Sequence, residues 1–255
     1  MVKLIQLLTE GVFDKGVLKA VFMAGGPGSG KSYVASQIFG IPKSVNVSMP
    51  YGLKTVNSDT EFEFLLKKYG FETFGTGKLD IDKWPDEVFD MIAGGDEDSK
   101  EMTVRKKAKL MTADRKKNYM EGRLGMVIDG TGHNLSKIKK EKQQLEALGY
   151  DCYMVFVNTS LNVAKQRNKE RARRLPEDIL VKSWKDVQKN LGAFQSLFGR
   201  NFVIVDNSKF LSAEDAQSKF RKITKKYISK FAGSSVRNPI GKKWIKHQMI
   251  LRGKK

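Results

Sequence analysis

Residues 17–32 read VLKAVFMAGGPGSGKS and carry the strongest structural signal in the chain. The first eight residues form a short apolar run, which is typical of a buried strand in a parallel sheet. Glycines follow directly, and a helix is predicted over residues 31–39. A buried strand that enters a glycine loop and then a helix predicts an α/β fold.

The glycine loop also predicts a ligand. Residues 25–32 satisfy the pattern G-x-x-x-x-G-K-[ST] in the strand and helix context that the pattern requires. Glycines let successive backbone N–H groups turn towards a phosphate, and the helix adds the positive end of its dipole. Lys31 should reach the β- and γ-phosphates of ATP, and the Ser32 hydroxyl should ligate Mg²⁺. The predicted nucleotide-binding residues are Gly25, Gly26, Pro27, Gly28, Ser29, Gly30, Lys31, Ser32 and Tyr33.

Strand and helix patterns alternate along the rest of the chain, which predicts a mostly parallel sheet with helices on both faces. Ligands bind such sheets at the carboxyl ends of the strands. We expect an N-terminal leader or amphipathic helix, a P-loop domain with an insertion and a helical lid, and a basic tail. These parts are predicted at residues 1–16, 17–231 (insertion 70–98, lid 161–175) and 232–255.

Two aspartates follow predicted strands. Asp129 ends the apolar run Met126 to Ile128, where a carboxylate can hold the magnesium shell. Asp59 follows the short strand near Val56 and could deprotonate or orient an acceptor hydroxyl. Each aspartate could instead cap a turn or a helix.

A cationic helix is predicted at residues 161–174. Arg167, Arg171 and Arg174 share one face of it at i, i+4 and i+7. A guanidinium can neutralise charge on a transferring phosphoryl group, so Arg167 and Arg171 are candidate catalytic residues on a lid that closes over ATP. A solvated cationic face is the alternative. Pro176 ends the helix and supplies a hinge.

The composition restricts the function further. The 255 residues carry a formal charge of +19, which favours polyanionic partners, including nucleic acid. The single cysteine, Cys152, lies in an apolar strand pattern and reads as a buried thiol. No apolar run is long enough to cross a bilayer, and we expect a cytoplasmic protein that makes no membrane contact. A GTPase or motor function is disfavoured, because the sequence has no Asn-Lys-x-Asp motif and is short for a motor.

Taken in order, these motifs resemble a known group. The loop at residues 25–32, then Asn57-Ser58-Asp59, then Asp129-Gly130-Thr131 with Asn134, then residues 165–171 resemble the phage polynucleotide kinase and zeta-toxin group of P-loop kinases. The resemblance implies transfer of the γ-phosphate of ATP to a hydroxyl acceptor. It also implies that Asp59 is the catalytic base and that Arg171 contacts the donor phosphates.

One position departs from that group. Polynucleotide kinases carry an arginine three residues after the base, and this position is Phe62 here. A nucleotide-sugar, a nucleoside or a protein hydroxyl therefore stays open as acceptor beside a polynucleotide 5′-hydroxyl.

The two ends of the chain suggest an alternative function. Residues 8–11 read LTEG and are similar to leader-cleavage sites of phage prohead proteases, so packaging in a phage capsid is one expectation. An amphipathic helix would explain the same leader. Residues 232–255 contain no acidic residue. A basic nucleic-acid-binding or virion-internal protein that uses ATP as a switch is therefore the alternative to a kinase.

Overall fold

The computed structural model of this chain describes residues 11–41, 50–69, 102–170 and 175–253. The leader up to residue 10, the insertion 70–98 and Arg171 to Arg174 of the lid lie outside the described residues. The described strands are β1 Lys19–Ala24, β2 Lys54–Val56, β3 Met126–Asp129, β4 Asp151–Asn158 and β5 Phe202–Asp206. The described α-helices are α1 Lys31–Phe39, α2 Ser58–Lys68, α3 Val104–Glu121, α4 Leu135–Ala147, α5 Leu161–Glu170, α6 Glu177–Lys189, α7 Leu191–Phe198, α8 Ala213–Ile223, α9 Ser229–Ala232 and α10 Pro239–Leu251.

The five described strands form one sheet in the order β2-β3-β1-β4-β5, and every pair is parallel. β1 lies at the centre, where Met23 pairs with Asp129 of β3 and with Val155 of β4. Because all the strands run the same way, their carboxyl ends meet at one edge. The loops that follow β1, β2 and β3 therefore lie close together at this edge.

The core has two layers because strand side chains alternate between the faces of the sheet. Phe22 of β1 packs in one layer with residues of α4 and α7, and Val21 packs in the other with residues of α1 and α8. Helices thus cover both faces. The predicted α/β class, with a parallel sheet between two helical layers, is confirmed.

The segment after residue 232 packs on the amino-terminal ends of the central strands. Asp151, at the start of β4, accepts hydrogen bonds from the backbone N–H groups of Arg237 and Asn238, both at 2.9 Å. Helix α10 then passes so close to the loop before β4 that a Cβ on Gly241 would lie 2.3 Å from the carbonyl oxygen of Gly149. The start of α10 and the residues that lead into it are therefore held against the beginning of β4 and the loop before it. The division into leader, domain and tail stays a prediction.

None of the helices in the described ranges combines the length and the apolar composition that crossing a bilayer requires.

Candidate functional site

The loop between β1 and α1 is shaped by glycines that no other residue could replace without strain. Gly28 and Gly30 have φ angles of +74° and +81°, in the left-handed region. A Cβ on Gly28 would lie 2.4 Å from the carbonyl oxygen of Ala164 in α5, and one on Gly30 would lie 2.6 Å from Asn207 Nδ2. The loop backbone therefore packs directly on α5 and on the loop after β5.

We expect Gly28→Ala to weaken ATP binding at least about tenfold and to destabilise the fold by about 1–3 kcal/mol, because a strained backbone must carry a side chain that meets another backbone. Nucleotide titration and denaturant unfolding measure the two effects. Gly192→Ala is the matched control, since a Cβ there meets nothing within 4 Å and the site is helical. Equal behaviour of the two variants would contradict the prediction.

The candidate lysine lies at the end of this loop. Lys31 Nζ donates a 2.8 Å hydrogen bond to the carbonyl oxygen of Gly25, so it bridges the two ends of the loop. The N–H of Gly25 in turn donates to the carbonyl oxygen of Thr131, at 3.1 Å. This bond joins the glycine loop to the loop after β3. The two loops thus form one continuous edge.

An asparagine links the two predicted aspartates, through the side chain of Asp129 and the backbone N–H of Asp59. Asn57 Nδ2 donates to Asp129 Oδ2 at 3.0 Å, and the N–H of Asp59 donates to Asn57 Oδ1 at 2.8 Å. Asp59 and Asp129 are 70 positions apart in the sequence, yet both belong to this short hydrogen-bonded chain. Since β3 pairs with β1, the chain lies at the same edge of the sheet as the glycine loop.

Sequence reasoning missed an arginine in this network. Arg105 Nη1, in the first turn of α3, donates to Asp59 Oδ1 at 2.7 Å. Its guanidinium also lies 5.0 Å from the centre of the Phe62 ring. Position 62, three residues after Asp59, lacks an arginine, and α3 supplies one beside the carboxylate instead. The basic cluster at residues 105–107 was the only available signal.

Arg167 lies on the side of the glycine loop that is opposite to Asp59 and Arg105. Its Nη1 donates to the carbonyl oxygen of Asn207 at 2.9 Å, and its guanidinium lies 5.2 Å from the centre of the Phe210 ring. Burial lowers the pKa of this guanidinium, although the group remains a cation at any physiological pH. A cavity of about 280 Å³ lies beside Gly30 and is lined by Arg167, Phe210 and Tyr33. Tyr33 is one of the predicted nucleotide-binding residues. Planar groups of this kind can stack on a nucleotide base.

Two residues of the predicted lid, Asn168 and Leu175, are hydrogen-bonded to each other. Asn168 Nδ2 donates to the carbonyl oxygen of Leu175 at 2.8 Å, and the N–H of Leu175 donates back to Asn168 Oδ1 at 3.1 Å. Residues 171–174, which lie between these partners, include Arg171 and are outside the described residues. Helix α5, which ends at Glu170, contacts the glycine loop through Ala164, and the role of Arg171 stays a prediction.

Helix α6, which follows the lid, packs on the glycine loop through a tryptophan. Trp184 Nε1 donates to the carbonyl oxygen of Thr159 at 3.0 Å, and a Cβ on Gly26 would lie 3.2 Å from Trp184 Cδ1. At the end of α6, Asn190 Nδ2 donates to the carbonyl oxygens of Gly132 and His133. One helix thus contacts both the glycine loop and the loop after β3.

A second and larger cavity, of 490 Å³, opens on the other side of Asp129. It lies between α3 and α4, and its lining includes Lys116 and Lys137. Burial, and next the positive charge of Lys137, lower the pKa of Lys116 to about 8. Lys116 also forms an ion pair with Glu141 of α4. The cavity is lined at one end by Asp129, Gly130 and Thr131, and Thr131 accepts a hydrogen bond from Gly25 of the glycine loop.

The site suits a nucleotide and a magnesium ion. The glycines of the loop pack closely on their neighbours, and the buried Ser29 Oγ has no hydrogen-bond partner among the described residues. Ser32 and Asp129 offer the hard oxygen ligands that Mg²⁺ prefers. No cluster of three or more histidine, cysteine or acidic residues able to hold a metal occurs within the described ranges.

The parallel sheet and the loop after its central strand define the class of P-loop nucleotide-binding proteins. The chain belongs to the AAA domain family, whose profile matches residues 21–193. Comparison with curated proteins finds no match.

Three solved structures are among those similar to this chain. A candidate kinase from Chloroflexus aurantiacus J-10-fl is 11% identical, covering 82% of this chain and 97% of its own, with a TM-score of 0.44. A structure of the PezAT chromosomal toxin–antitoxin system of Streptococcus pneumoniae is 14% identical, covering 91% and 94%, with a TM-score of 0.46. A gluconokinase from Sinorhizobium meliloti 1021 is 15% identical, covering 82% and 95%, with a TM-score of 0.42.

Proposed function

We propose that this protein is a kinase that transfers the γ-phosphate of Mg-ATP to a hydroxyl acceptor. The observation that supports this most is the hydrogen-bonded chain from Asp129 through Asn57 to Asp59. It supports a role for Asp129 as a metal ligand and for Asp59 as the base, since both residues follow strands at the edge that also carries the glycine loop. A protein that only binds nucleotides would not require the second carboxylate.

In this proposal ATP, the phosphate donor, contacts the glycine loop from both sides. The adenine of ATP occupies the cavity lined by Arg167 and Phe210, and the N–H groups of the glycine loop hold the β-phosphate. Lys31 exchanges its bond with Gly25 for bonds to the β- and γ-phosphates. Arg171 approaches the same phosphates from the lid.

Transfer then requires one proton acceptor and one stabiliser of charge. Asp59 takes the proton of the acceptor hydroxyl as its oxygen bonds to the γ-phosphorus, and the bond from that phosphorus to the β–γ bridging oxygen breaks to release ADP. Arg105 holds the Asp59 carboxylate in place. Ser32 and Asp129 would hold Mg²⁺, which neutralises the charge that develops on the phosphate oxygens.

Transfer from γ-labelled ATP tests this function. The protein is incubated with a panel of acceptors: DNA and RNA with 5′-hydroxyl ends, nucleosides, nucleotide-sugars, phosphorylated sugars and the protein itself. We expect label on one class of acceptor, and none when Lys31→Ala replaces the wild-type protein. Label no higher than in Lys31→Ala across the whole panel would refute the kinase.

A second candidate function has support in α10. Lys242, Lys243 and Lys246 of α10 and Arg252, which follows it, are exposed, and residues 239–253 contain no acidic residue. Such a face suits the backbone of a nucleic acid. Under this alternative the protein is a nucleic-acid-binding or virion-internal protein, and ATP acts as a switch. Salt-dependent DNA binding that persists in Lys31→Ala, without transfer to any acceptor, would favour it.

A further inference from the structure

The loop between β3 and α4 has no regular secondary structure, and other segments hold its backbone. The N–H of Gly130 donates to the carbonyl oxygen of Met23 at 3.2 Å, and the carbonyl oxygen of Thr131 accepts from the N–H of Gly25 at 3.1 Å. The loop begins directly after Asp129, the candidate metal ligand, and contacts the glycine loop. Its position therefore affects the groups that would hold the metal and the phosphates.

An asparagine from a distant part of the chain holds the middle of this loop. Asn190 Nδ2 donates to the carbonyl oxygen of Gly132 at 3.0 Å and to the carbonyl oxygen of His133 at 2.9 Å. A side-chain amide has two N–H donors, so each donor can serve one carbonyl. One side chain thus fixes two consecutive peptide groups of the loop.

The amide of Asn190 does not serve the helices on either side of it. Asn190 follows α6 and precedes α7, at a position where asparagine often caps a helix by accepting from a backbone N–H. Its φ and ψ angles of −83° and −7° are helical, and within the described part of the chain its side chain makes no capping hydrogen bond to α7. The contact with the loop is therefore separate from the formation of α6 and α7.

The backbone of Asn190 is itself held firmly. Its N–H donates to the carbonyl oxygen of Val187 at 3.2 Å, and its carbonyl oxygen accepts from the N–H of Phe194 at 2.9 Å. The side chains of Val187 and Phe194 are buried in the core. The amide of Asn190 therefore has a fixed position relative to the sheet, from which it can hold the loop.

Helix α6 contacts neighbouring loops in a similar way. Trp184 and Gln188 lie four residues apart and so share one face of α6. Trp184 Nε1 donates to the carbonyl oxygen of Thr159, and Gln188 Nε2 donates to Asn158 Oδ1, both at 3.0 Å. Trp184 also packs against Gly26 of the glycine loop. α6 and Asn190 together thus contact the loops after β1 and β3 and the end of β4.

We propose that Asn190 is a positioning residue of the nucleotide site: through the loop after β3 it keeps Asp129 in the position that binds the Mg²⁺ of Mg-ATP. The inference rests on the metal-binding role of Asp129 in the proposed function. Loss of two hydrogen bonds would let the loop shift, and Asp129 lies at its first end. The glycine loop is shaped by its own left-handed glycines, Gly28 and Gly30, so its hold on the phosphates should change less.

ATP affinity measured with and without Mg²⁺ tests the inference without any transfer. Asn190→Asp keeps the shape of the side chain but places a carboxylate oxygen against two carbonyl oxygens. We expect it to weaken the binding of a fluorescent ATP analogue about fivefold or more in Mg²⁺, and less than about twofold in EDTA. A purely electrostatic effect of the new charge would be larger in EDTA, because free ATP is more negative than Mg-ATP. Asn190→Ala removes the donors without adding charge and should show a smaller difference of the same sign.

Asn201→Asp is the matched control. Asn201 Nδ2 donates to the carbonyl oxygen of Cys152 at 3.1 Å, near the beginning of β4 and so at the opposite edge of the sheet. This variant loses the same kind of bond and gains the same charge, but should change ATP affinity less than about twofold in either condition. Thermal unfolding compares the stabilities, and Asn190→Ala decides the test if Asn190→Asp does not fold. Equal losses in Mg²⁺ and EDTA, or equal behaviour of the Asn190 and Asn201 variants, would overturn the inference.

The outcomes separate this inference from the kinase function. A loss of affinity specific to Mg²⁺ in Asn190→Asp, with no label transferred by the wild-type protein to any acceptor, would support the role of Asn190 and refute the kinase. Label transfer by the wild-type protein, with unchanged affinity of Asn190→Asp for the analogue in Mg²⁺, would support the kinase and refute the role of Asn190.

Discussion

Asp59→Asn is expected to slow phosphoryl transfer by about 10²–10⁴-fold while ATP affinity stays within about a factor of two, because asparagine keeps the shape of the side chain but cannot accept the hydroxyl proton. Its amide oxygen can still accept the hydrogen bond from Arg105, so the local structure should persist. Single-turnover transfer and titration with a fluorescent ATP analogue measure the two quantities.

Glu63→Gln provides a control for Asp59→Asn on the same helix. Glu63 is exposed in α2, so its neutralisation should leave both the transfer rate and ATP affinity unchanged. Lys31→Ala provides the opposite reference, since it should lose ATP affinity and transfer together. Wild-type transfer rates in Asp59→Asn would show that another group accepts the proton.

Asp151→Ala is expected to produce the largest loss of stability, about 3–5 kcal/mol, because it leaves a buried lysine without its counter-charge. Lys19 Nζ lies 2.8 Å from Asp151 Oδ2, and the two side chains are only 2% and 10% exposed. Burial lowers the pKa of Lys19, and its hydrogen bond with Asp151 opposes that shift. Urea unfolding of the full chain measures the change.

The same substitution should loosen α10. Asp151 also accepts from the N–H groups of Arg237 and Asn238, so its loss frees the segment that leads into this helix. We expect faster limited proteolysis after residue 236 in Asp151→Ala. Asp186→Ala is the control. It removes the exposed ion-pair partner of Lys189, 3.7 Å from Lys189 Nζ, and should change the free energy of unfolding by less than about 0.5 kcal/mol. A similar small change in Asp151→Ala would contradict the prediction.

The fold could be predicted well because its signals are local. The apolar run before Gly25 and the glycines after it impose a strand and a tight loop through backbone sterics alone. Alternation of such units then predicts a parallel sheet, because a strand–helix–strand connection leaves few other arrangements. The carboxyl-edge positions of Asp59 and Asp129 followed from the same reasoning.

The sequence was less informative about contacts between distant segments. Nothing in the pattern of α3 indicates that Arg105 meets a carboxylate 46 positions earlier, or that Lys106 and Lys109 line a cavity while Lys117 lies outside that lining. Nor does the pattern around Lys137 indicate that this segment supplies the other wall of that cavity. The sequence showed Asn57 only as part of a motif and did not indicate that it links the two aspartates.

The sequence by itself determined the strand, the glycine loop and the helix after it, because left-handed glycines and a buried apolar run act within a few residues. Only the tertiary structure decided which charges face one another: Asp59 with Arg105, Lys19 with Asp151, and the lysines of α3 with Lys137 across a cavity. These pairings depend on how helices pack on the sheet. That packing is set by the whole core, so no single segment encodes it.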